Sequence, residues 1–184
     1  MAGGRGERLK LKKEKPLIEI SKKPLICHCV EPLKKSKIIS DIFVATTENT
    51  PQTEIFAKSL GVSVIRTSGK GFVDDIQEAV KKTKIQKYKN IFIVCADTFG
   101  ITEKLILKLA DEFIKLKVKN LCVVKNVSGR LKPVGLNVMN RKEVLSSKIK
   151  KKGINSGYKY ISNENIVNVN TLKDLRLVER KNKS

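Results

Sequence analysis

The stretch MAGGRGER (1–8), followed after a lysine-rich spacer by EKP (14–16), is the part of this chain that decides the fold. Glycines let a backbone bend into left-handed conformations and bring its N–H groups close to anionic oxygens. Arg8 and Lys15 add a planar guanidinium and a point charge to that loop. The pattern is neither GxxxxGK[ST] nor GxGxxG, so it is not the usual P-loop or dinucleotide fingerprint. We expect the loop to bind a triphosphate; a flexible basic tail is the alternative.

Short β-branched runs alternate with amphipathic stretches, which is typical of βαβ units and a parallel sheet. We predict strands over 41–46, 62–66, 90–95, 120–125, 134–139 and 166–169. We predict helices over 23–35, 52–60, 72–83, 102–116, 140–146 and 172–181. A threonine at the N-cap is expected to open three of these helices, namely Thr50, Thr102 and Thr171. The lysine run 148–152 and the residues up to 162 are expected to form a loop over the active face, and the tail 181–184 to fray.

Five segments together resemble a known family: 1–8, 14–20, 67–75 (TSGKGFVDD), 134–138 (VGLNV) and 168–175 (NVNTLKDL). They are similar to the nucleotidyltransferases that share a Rossmann-like fold, and within them to the archaeal adenosylcobinamide-phosphate guanylyltransferases. The first loop is specific to the superfamily, whereas TSGKG and NVNT indicate the guanylyl branch. The resemblance spans nearly the whole chain. It implies an α/β, three-layer fold with a mostly parallel sheet and helices on both faces, in one nucleotidyltransferase domain over 1–184.

In the family this chain resembles, a hydrophobic strand comes directly before the glycine-rich loop. We therefore expect a first strand ahead of Met1, unless this chain lacks the strand that anchors its phosphate loop.

The resemblance also implies a nucleotide site built from two loops. The nucleotide-binding residues that it implies are Ala2, Gly3, Gly4, Gly6, Arg8, Lys15, Thr67, Ser68, Gly69, Lys70 and Asp97. Asp97 directly follows the predicted strand 90–95, and ligands of open α/β sheets bind beyond the carboxyl ends of strands. A carboxylate that faces a triphosphate there suits Mg²⁺, which prefers oxygen ligands. We predict that Asp97 binds Mg²⁺; capping of the turn 98–101 is the alternative.

Two further pairs of residues have implied roles. Related enzymes use an Asn or Asp near their last strand as a second metal contact, and Asn170 is assigned to it here, with a turn role as the alternative. We expect only one of Asn168 and Asn170 to face the site. Gly135 and Asn137 lie in the segment that resembles the acceptor-side strand, so we assign them to the acceptor; tight packing is the alternative for the glycine.

The activity that the resemblance implies is transfer of GMP from GTP to a phosphate acceptor, adenosylcobinamide phosphate, with release of pyrophosphate in cobalamin biosynthesis. A phosphate acceptor is ionised at pH 7 and needs no general base, and the single histidine, His28, falls in a predicted helix. Positioning and charge neutralisation remain, for which we assign Arg8, Lys15 and Asp97 as catalytic residues. Alternatives with the same fold are a molybdenum-cofactor guanylyltransferase and a sugar-1-phosphate nucleotidyltransferase.

The chain carries 39 Lys and Arg against 18 Asp and Glu, for a net charge of +21. Such an excess attracts polyanions, so a basic RNA-binding protein is the alternative of another class. Aromatic residues make up only 5%, which leaves few stacking platforms for bases and disfavours nucleic acid. GTP and a phosphorylated small molecule are the expected partners, and a homodimer is compatible with the sequence.

The four cysteines show no CxxC spacing, and Cys95 and Cys122, which lie in apolar strand-like runs, are expected to be buried reduced thiols. Cys27 and Cys29 flank His28, but neighbours one and two apart on a helix do not share a face, which disfavours a metal site. No run of eighteen apolar residues and no signal peptide is present, so no membrane span is predicted and a cytoplasmic location is expected.

Overall fold

Strands and helices alternate along most of the chain, as the periodicity predicts. The structure is a computed structural model that describes residues 1–3, 13–82, 84–152, 158–161 and 166–181. The strands are β1 Glu19–Ile20, β2 Lys23–Pro24, β3 Phe43–Thr46, β4 Ser63–Arg66, β5 Asn90–Val94, β6 Thr98–Phe99, β7 Asn120–Val127, β8 Arg130–Asn140, β9 Tyr158–Ile161 and β10 Val167–Asn168. The helices are α1 Leu25–Lys35, α2 Pro51–Ser59, α3 Phe72–Lys82, α4 Glu103–Lys115, α5 Arg141–Val144, α6 Ser147–Lys152 and α7 Leu172–Lys181.

The longer strands form two pieces of sheet. One is the parallel pair β3–β4, and the other has the order β5-β8-β7-β9, in which β7 and β9 are parallel. The expectation of a mostly parallel sheet needs a correction, because β8 runs antiparallel to both β5 and β7. The reason is local: Ser128 and Gly129 have φ of 51° and 78°, which makes them a two-residue hairpin turn between β7 and β8.

Helices cover both faces of the sheet. Phe92 and Val94 of β5 pack against a core that contains residues of α1 and α4. Ile93, between them, belongs to a second core with residues of α3, α5 and α6. Since successive side chains of a strand point to opposite faces, this alternation produces the three layers that were predicted.

All three predicted threonines directly precede their helices, and two of them also make the capping hydrogen bond. The Thr102 hydroxyl accepts a hydrogen bond from Leu105 N at the start of α4. At α7, Asp174 N donates to the Thr171 hydroxyl at 3.2 Å, while the Asp174 carboxylate accepts from Thr171 N at 2.8 Å. This reciprocal arrangement is that of a capping box.

The third helix has the predicted N-cap threonine, but that threonine makes no capping hydrogen bond. The hydroxyl of Thr50, at the N-cap of α2, instead contacts the backbone of Thr47. The first N–H groups of α2 are bound by Glu14, a residue from the far end of the predicted loop. A long-range carboxylate therefore replaces the local hydroxyl.

The segment 148–162 is not the loop that was predicted. Its first part is the helix α6, where Ile149 is buried against the core on the α3 side. Its second part contains β9, which extends the sheet by pairing with Leu121–Val124 of β7. The sequence analysis missed this helix because Ile149 is its one apolar residue, so the lysine-rich segment shows no helical period of apolar residues. Residues 153–157 and 162–165 lie outside the described part of the chain, as do 182–184, so the predicted fraying of the tail stays a prediction.

None of the helices in the described ranges is long and apolar enough to cross a membrane.

Candidate active site

The first residues of the chain lie between β3 and β5, at the carboxyl ends of both strands. Met1 N donates to Val94 O at 2.7 Å, and Ala96 N donates to Met1 O at 2.9 Å. On the other side, Ala2 N donates to Ala45 O at 2.8 Å, and Ala2 is buried. The glycine-rich loop therefore starts at the edge where open α/β sheets bind their ligands.

Thr47 joins the first loop to the loop that follows β4. Its hydroxyl donates to Gly3 O at 3.1 Å, and its Cγ2 methyl would lie 2.4 Å from a Cβ added at Gly3. The same methyl would lie 3.4 Å from a Cβ at Gly69, whose φ is +71°. Both glycines are thus held against one buried threonine. The sequence analysis predicted no role for Thr47. Its place directly after the predicted strand 41–46 is the signal that could have indicated one.

Three residues with predicted roles, Gly4, Gly6 and Arg8, lie outside the described residues. Their assignment to the triphosphate stays a prediction.

The loop 67–70 is anchored by its first residue. Thr67 is buried, and both its N–H and its hydroxyl donate to Thr46 O, at 2.8 and 3.1 Å. The side chains of Ser68 and Lys70 are exposed. Among the predicted nucleotide contacts in this loop, these two side chains are therefore the ones that can reach a ligand.

Two carboxylates of α3 bind the backbone of the same loop. Asp75 accepts from Gly69 N and Glu78 accepts from Ser68 N, each at 2.8 Å. Hydrogen bonds from Lys82 and then from Ser68 lower the pKa of Glu78 to about 2. The N–H groups of Ser68 and Gly69 are thus already bound within the protein, and two carboxylates from the first and second turns of α3 shape the loop.

Lys15, Asp97 and Asn170 meet at one point. The ammonium of Lys15 donates to Asp97 Oδ2 at 2.6 Å and to Asn170 Oδ1 at 2.7 Å. The Lys15 and Asp97 side chains are only 13% and 22% exposed, so solvent screens this ion pair less than a surface pair. The structure thus brings together two of the predicted catalytic residues and the predicted second metal contact.

Asn168 contributes to the same cluster, which the sequence analysis did not expect. Its Nδ2 donates to Asp97 Oδ1 and Thr98 Oγ1, both at 3.3 Å, and to Val134 O at 3.1 Å. The expectation that only one of Asn168 and Asn170 faces the site was wrong, because residues two apart along an extended segment share a face. Asn168 directs amide hydrogens at the Asp97 carboxylate, whereas Asn170 presents its oxygen to the cation.

Glu14 fixes the segment that carries Lys15. Its carboxylate accepts from Gln52 N at 2.8 Å and from Thr53 N and Oγ1 at 2.7 and 2.6 Å. A carboxylate is favoured at a helix N-terminus by the unpaired N–H groups and by the helix dipole. Lys15 follows directly and opens a short 3-10 helix, Lys15–Leu17. The partners lie 38 and 39 residues apart in sequence, so no local pattern reveals this cap.

The two residues assigned to the acceptor lie in β8. Gly135 has φ +72°, and an added Cβ would lie 2.8 Å from both Cβ and Sγ of Cys95. Packing alone therefore requires this glycine. Asn137 is 1% exposed and stands opposite Ile93 and Cys122, and within the described residues its side-chain amide has no hydrogen-bond partner. Their role in acceptor binding stays a prediction.

Cys29, Cys95 and His28 lie near this cluster. Burial, the largest cause, raises the pKa of Cys29 to about 12 and that of Cys95 to about 11. Cys29 Sγ donates to Thr98 O at 3.1 Å. His28 Nε2 lies 3.3 Å from Ile20 O, and its ring packs on Phe99 at 4.9 Å between centroids. Protonated thiols and a packed imidazole are structural groups.

The oxygen atoms around Lys15 Nζ fit a divalent cation. Asp97 Oδ2 and Asn170 Oδ1 already converge on one positive centre, the ammonium. Mg²⁺ prefers oxygen donors and is bound in nucleotide sites through one or two protein ligands, with phosphates and water completing its shell. Across the described ranges, no three His, Cys, Asp or Glu side chains cluster as a separate metal site.

Comparison with known proteins shows the family to which the chain belongs. The model of the MobA-like NTP transferase domain matches residues 1–163. The chain is 33% identical over 198 residues to the adenosylcobinamide-phosphate guanylyltransferase of Methanocaldococcus jannaschii, a match that covers 97% of this chain and 93% of the relative.

Solved structures show the same fold at low sequence identity. A Bacillus anthracis protein described as a glucose-1-phosphate thymidylyltransferase, crystallised with sucrose, aligns with a TM-score of 0.76 and 15% identity over 98% of this chain and 92% of its own. A CMP:2-keto-3-deoxy-manno-octonic acid synthetase in complex with CTP aligns with a TM-score of 0.72 and 17% identity over 92% of each chain. These neighbours confirm the Rossmann-like nucleotidyltransferase fold. By its fold and by its sequence, the chain belongs to the family of MobA-like NTP transferase domains.

Proposed function

We propose that this protein is a nucleotidyltransferase of one domain, 1–184, that transfers GMP from GTP to adenosylcobinamide phosphate and releases pyrophosphate. The observation that supports the site assignment most directly is the convergence of Lys15, Asp97 and Asn170 beside the start of the glycine-rich loop. Similarity to a guanylyltransferase over 97% of the chain supports the choice of nucleotide and acceptor.

In this proposal the acceptor's phosphate oxygen attacks the α-phosphorus of GTP in line. A bond forms between that oxygen and the α-phosphorus, and the bond from the α-phosphorus to the bridging oxygen of the β-phosphate breaks, so that pyrophosphate leaves. The acceptor phosphate is an anion at pH 7, and no side chain needs to remove a proton. The protein has to align the acceptor phosphate, the α-phosphate and the leaving pyrophosphate, and to neutralise their charge.

Each cluster residue has a proposed part in this alignment. The ammonium of Lys15 would exchange its contacts with Asp97 and Asn170 for oxygens of the α-phosphate and of the acceptor. Asn168 would keep the Asp97 carboxylate oriented. Asp97 and Asn170 would hold Mg²⁺, which would supply positive charge to the phosphate oxygens. Backbone N–H groups of Gly3 and the glycines after it would bind the triphosphate, with Arg8 on the β- and γ-phosphates. The predicted contact of Ala2 is not through its N–H, which donates to Ala45 O.

The second loop and β8 complete the proposed site. Ser68 and Lys70 are assigned to the nucleotide because their side chains are exposed on a loop that Thr47 connects to Gly3. Gly135 and Asn137 are kept as the acceptor side. We further propose that the enzyme acts in the cytoplasm, where GTP is available.

A different acceptor on the same fold is the main competing function. The family includes MobA-like domains, and one solved neighbour is described as a sugar-phosphate enzyme. Such an enzyme would keep the Lys15–Asp97 pair and change the residues around the acceptor.

The test is a transfer assay with each of GTP, CTP, UTP and ATP in the presence of Mg²⁺, with adenosylcobinamide phosphate, molybdopterin and glucose 1-phosphate as acceptors. We expect GTP and adenosylcobinamide phosphate to give the highest kcat/KM, and the Asp97→Asn variant to lose activity by about 10²–10³-fold. Transfer at the wild-type rate by Asp97→Asn, or preference for a pyrimidine nucleotide, would refute the assignment.

A further inference from the structure

The ammonium of Lys15 lies between the two oxygens that are proposed to hold Mg²⁺. Lys15 Nζ is 2.6 Å from Asp97 Oδ2 and 2.7 Å from Asn170 Oδ1. Mg²⁺ binds oxygen at about 2.1 Å, so an ion held by the same two oxygens would lie at nearly the same point. Two cations cannot share that point, because like charges repel strongly at short range. Lys15 and a divalent ion therefore compete for one place.

Lys15 is held at this place by the residues on both sides of it in the chain. Before it, Glu14 is bound to the backbone of α2. After it, Pro16 and Ile18 are buried, and Ile18 N donates to Lys15 O at 3.2 Å. A mostly covered side chain on a fixed backbone loses little further freedom when its ammonium binds two oxygens. The ammonium is therefore a strong competitor for the site.

The Asp97 carboxylate has few oxygens to spare for an entering ion. Its Oδ1 accepts a hydrogen bond from Asn168 Nδ2 at 3.3 Å, which leaves Oδ2, the oxygen that Lys15 binds. The next carboxylate along the chain, Asp174, accepts from Asn170 N. Among the residues that the structure describes, no three His, Cys, Asp or Glu side chains form another metal cluster. An ion that binds Asp97 and Asn170 must therefore displace Lys15.

Displacing Lys15 is unfavourable as long as no nucleotide is bound. It breaks the Lys15–Asp97 ion pair, whose side chains are both mostly covered, and leaves the ammonium without a partner. Removing one partner from such a pair is costly, because the remaining charge lacks both full hydration and its counter-charge. A triphosphate changes this balance. Its oxygens replace Asp97 as the partner of the ammonium, and they supply further ligands to the ion.

We propose that Lys15 keeps divalent ions out of the nucleotide-free protein. Asp97 and Asn170 become free for an ion only when phosphate oxygens of the nucleotide draw the ammonium away. This role rests on the proposed nucleotide site, and it precedes the transfer reaction. By linkage, nucleotide and ion must then raise each other's affinity by the same factor. The protein takes up the ion together with the nucleotide and not before it.

The experiment measures binding of Mn²⁺ to the nucleotide-free protein by electron paramagnetic resonance, since Mn²⁺ prefers the same oxygen ligands as Mg²⁺. The test variant is Lys15→Met, which removes the ammonium and keeps an unbranched side chain. Lys15→Arg keeps a positive charge, and Lys13→Met removes the charge of an exposed ion pair with Glu19. The double variant Lys15→Met/Asp97→Asn shows whether any gained Mn²⁺ is bound at this site. Tm shows whether each variant is folded, and Lys15→Ala replaces Lys15→Met if that variant is not.

We expect wild type, Lys15→Arg and Lys13→Met to bind Mn²⁺ equally weakly, and Lys15→Met to bind it more tightly by about tenfold or more. Adding Asp97→Asn should abolish the gain. In calorimetry, Mg²⁺ should raise the affinity of wild type for GTP by about tenfold or more, and that of Lys15→Met by a smaller factor. Equal Mn²⁺ affinity of wild type and Lys15→Met would overturn the proposal, and so would a gain that survives Asp97→Asn.

The proposed enzyme activity fails separately from this role of Lys15. GTP binding and GMP transfer by wild type, with equal Mn²⁺ affinity of wild type and Lys15→Met, would refute the role and leave the function in place. Tighter Mn²⁺ binding by Lys15→Met, with no binding of GTP to wild type at any Mg²⁺ concentration, would refute the nucleotide site. The competition between Lys15 and the ion would then still stand.

Discussion

Lys15 Nζ lies 2.6 Å from Asp97 Oδ2, although 82 residues separate the two in sequence. Lys15 reaches this point because its neighbour Glu14 is bound to the start of α2. Asp97 reaches it because it lies three residues after the end of β5. The pair stands beside the first loop, where a triphosphate would bring both negative charge and a divalent ion. Lys15 is therefore positioned to leave Asp97 and contact phosphate oxygens, and Asp97 to leave Lys15 and contact the divalent ion.

We predict that Lys15→Ala lowers kcat/KM for GMP transfer by about 10²–10³-fold, since it removes a cation from the phosphates. The matched control is Lys13→Ala, because Lys13 pairs with Glu19 at the surface, where both side chains are about half exposed. Steady-state kinetics should show the control within about twofold of wild type, as is usual for exposed ion pairs. Equal losses in both variants would contradict a role specific to Lys15.

Asn168 is predicted to act as a positioning residue for Asp97. Asn168→Asp replaces amide hydrogens with a second carboxylate, and by analogy with outer-shell metal partners it should weaken Mg²⁺-dependent activity by about 10–100-fold. The Mg²⁺ concentration for half-maximal rate should rise, a readout that a purely structural loss would not move. Asn126→Asp in the exposed β7–β8 hairpin is the control. An unchanged Mg²⁺ dependence would show that Asn168 only supports the fold.

Gly3→Ala should destabilise the first loop, because the new Cβ would lie 2.4 Å from Thr47 Cγ2. We expect a loss of about 1–3 kcal/mol in the free energy of unfolding and weaker GTP binding. The rescue is specific: adding Thr47→Ser deletes that methyl and keeps the hydroxyl that binds Gly3 O. Urea unfolding and calorimetry of the single and double variants test this. A double variant no better than Gly3→Ala would show that the contact is not the cause.

Glu14→Gln should cost about 0.5–2 kcal/mol of stability, since it weakens the cap of α2. It should also lower activity, because Lys15 loses its anchored neighbour. Glu19→Gln, which changes an exposed carboxylate in the same segment, should leave both unchanged in urea unfolding and in the transfer assay. Activity that survives a clear loss of stability would separate Glu14 from the placement of Lys15.

Glu78 should contribute to the way in which the free energy of unfolding falls at acid pH. Its pKa is lowered from 4.5 to about 2 by Lys82 and by Ser68. A depressed pKa stabilises the fold above pH 4.5 and loses this effect as pH falls towards 2. The difference between wild type and Glu78→Gln in urea unfolding should thus be constant above pH 5 and shrink between pH 4.5 and 2. A difference that does not change with pH would assign the effect to packing.

Much of the fold was predictable because its signals are local. The period of apolar residues located the long strands and helices, and Thr102 and Thr171 cap helices that begin within one or two residues of them. The hairpin that makes β8 antiparallel to β7 could also have been predicted. Ser128-Gly129 between two apolar runs is a hairpin signal that the sequence analysis did not use. The position of Asp97 at the ligand-binding edge was predictable, because a carboxylate after the end of a strand has a defined place in this class of sheet; its role stays a prediction.

The rest of the site depends on distances that no local pattern encodes. Glu14, and not the hydroxyl of the N-cap residue Thr50, binds the first N–H groups of α2. Thr47 joins Gly3 to Gly69. Asn168 contacts Asp97 across 71 residues of sequence, and Asn170 contacts Lys15 across 155. By itself, the sequence determined the class of fold and the chemical types in the loops, because helices, strands and turns form from neighbours a few residues apart. Which of those groups share a hydrogen bond was decided only by tertiary packing, because only the assembled sheet sets the distance between its strand ends.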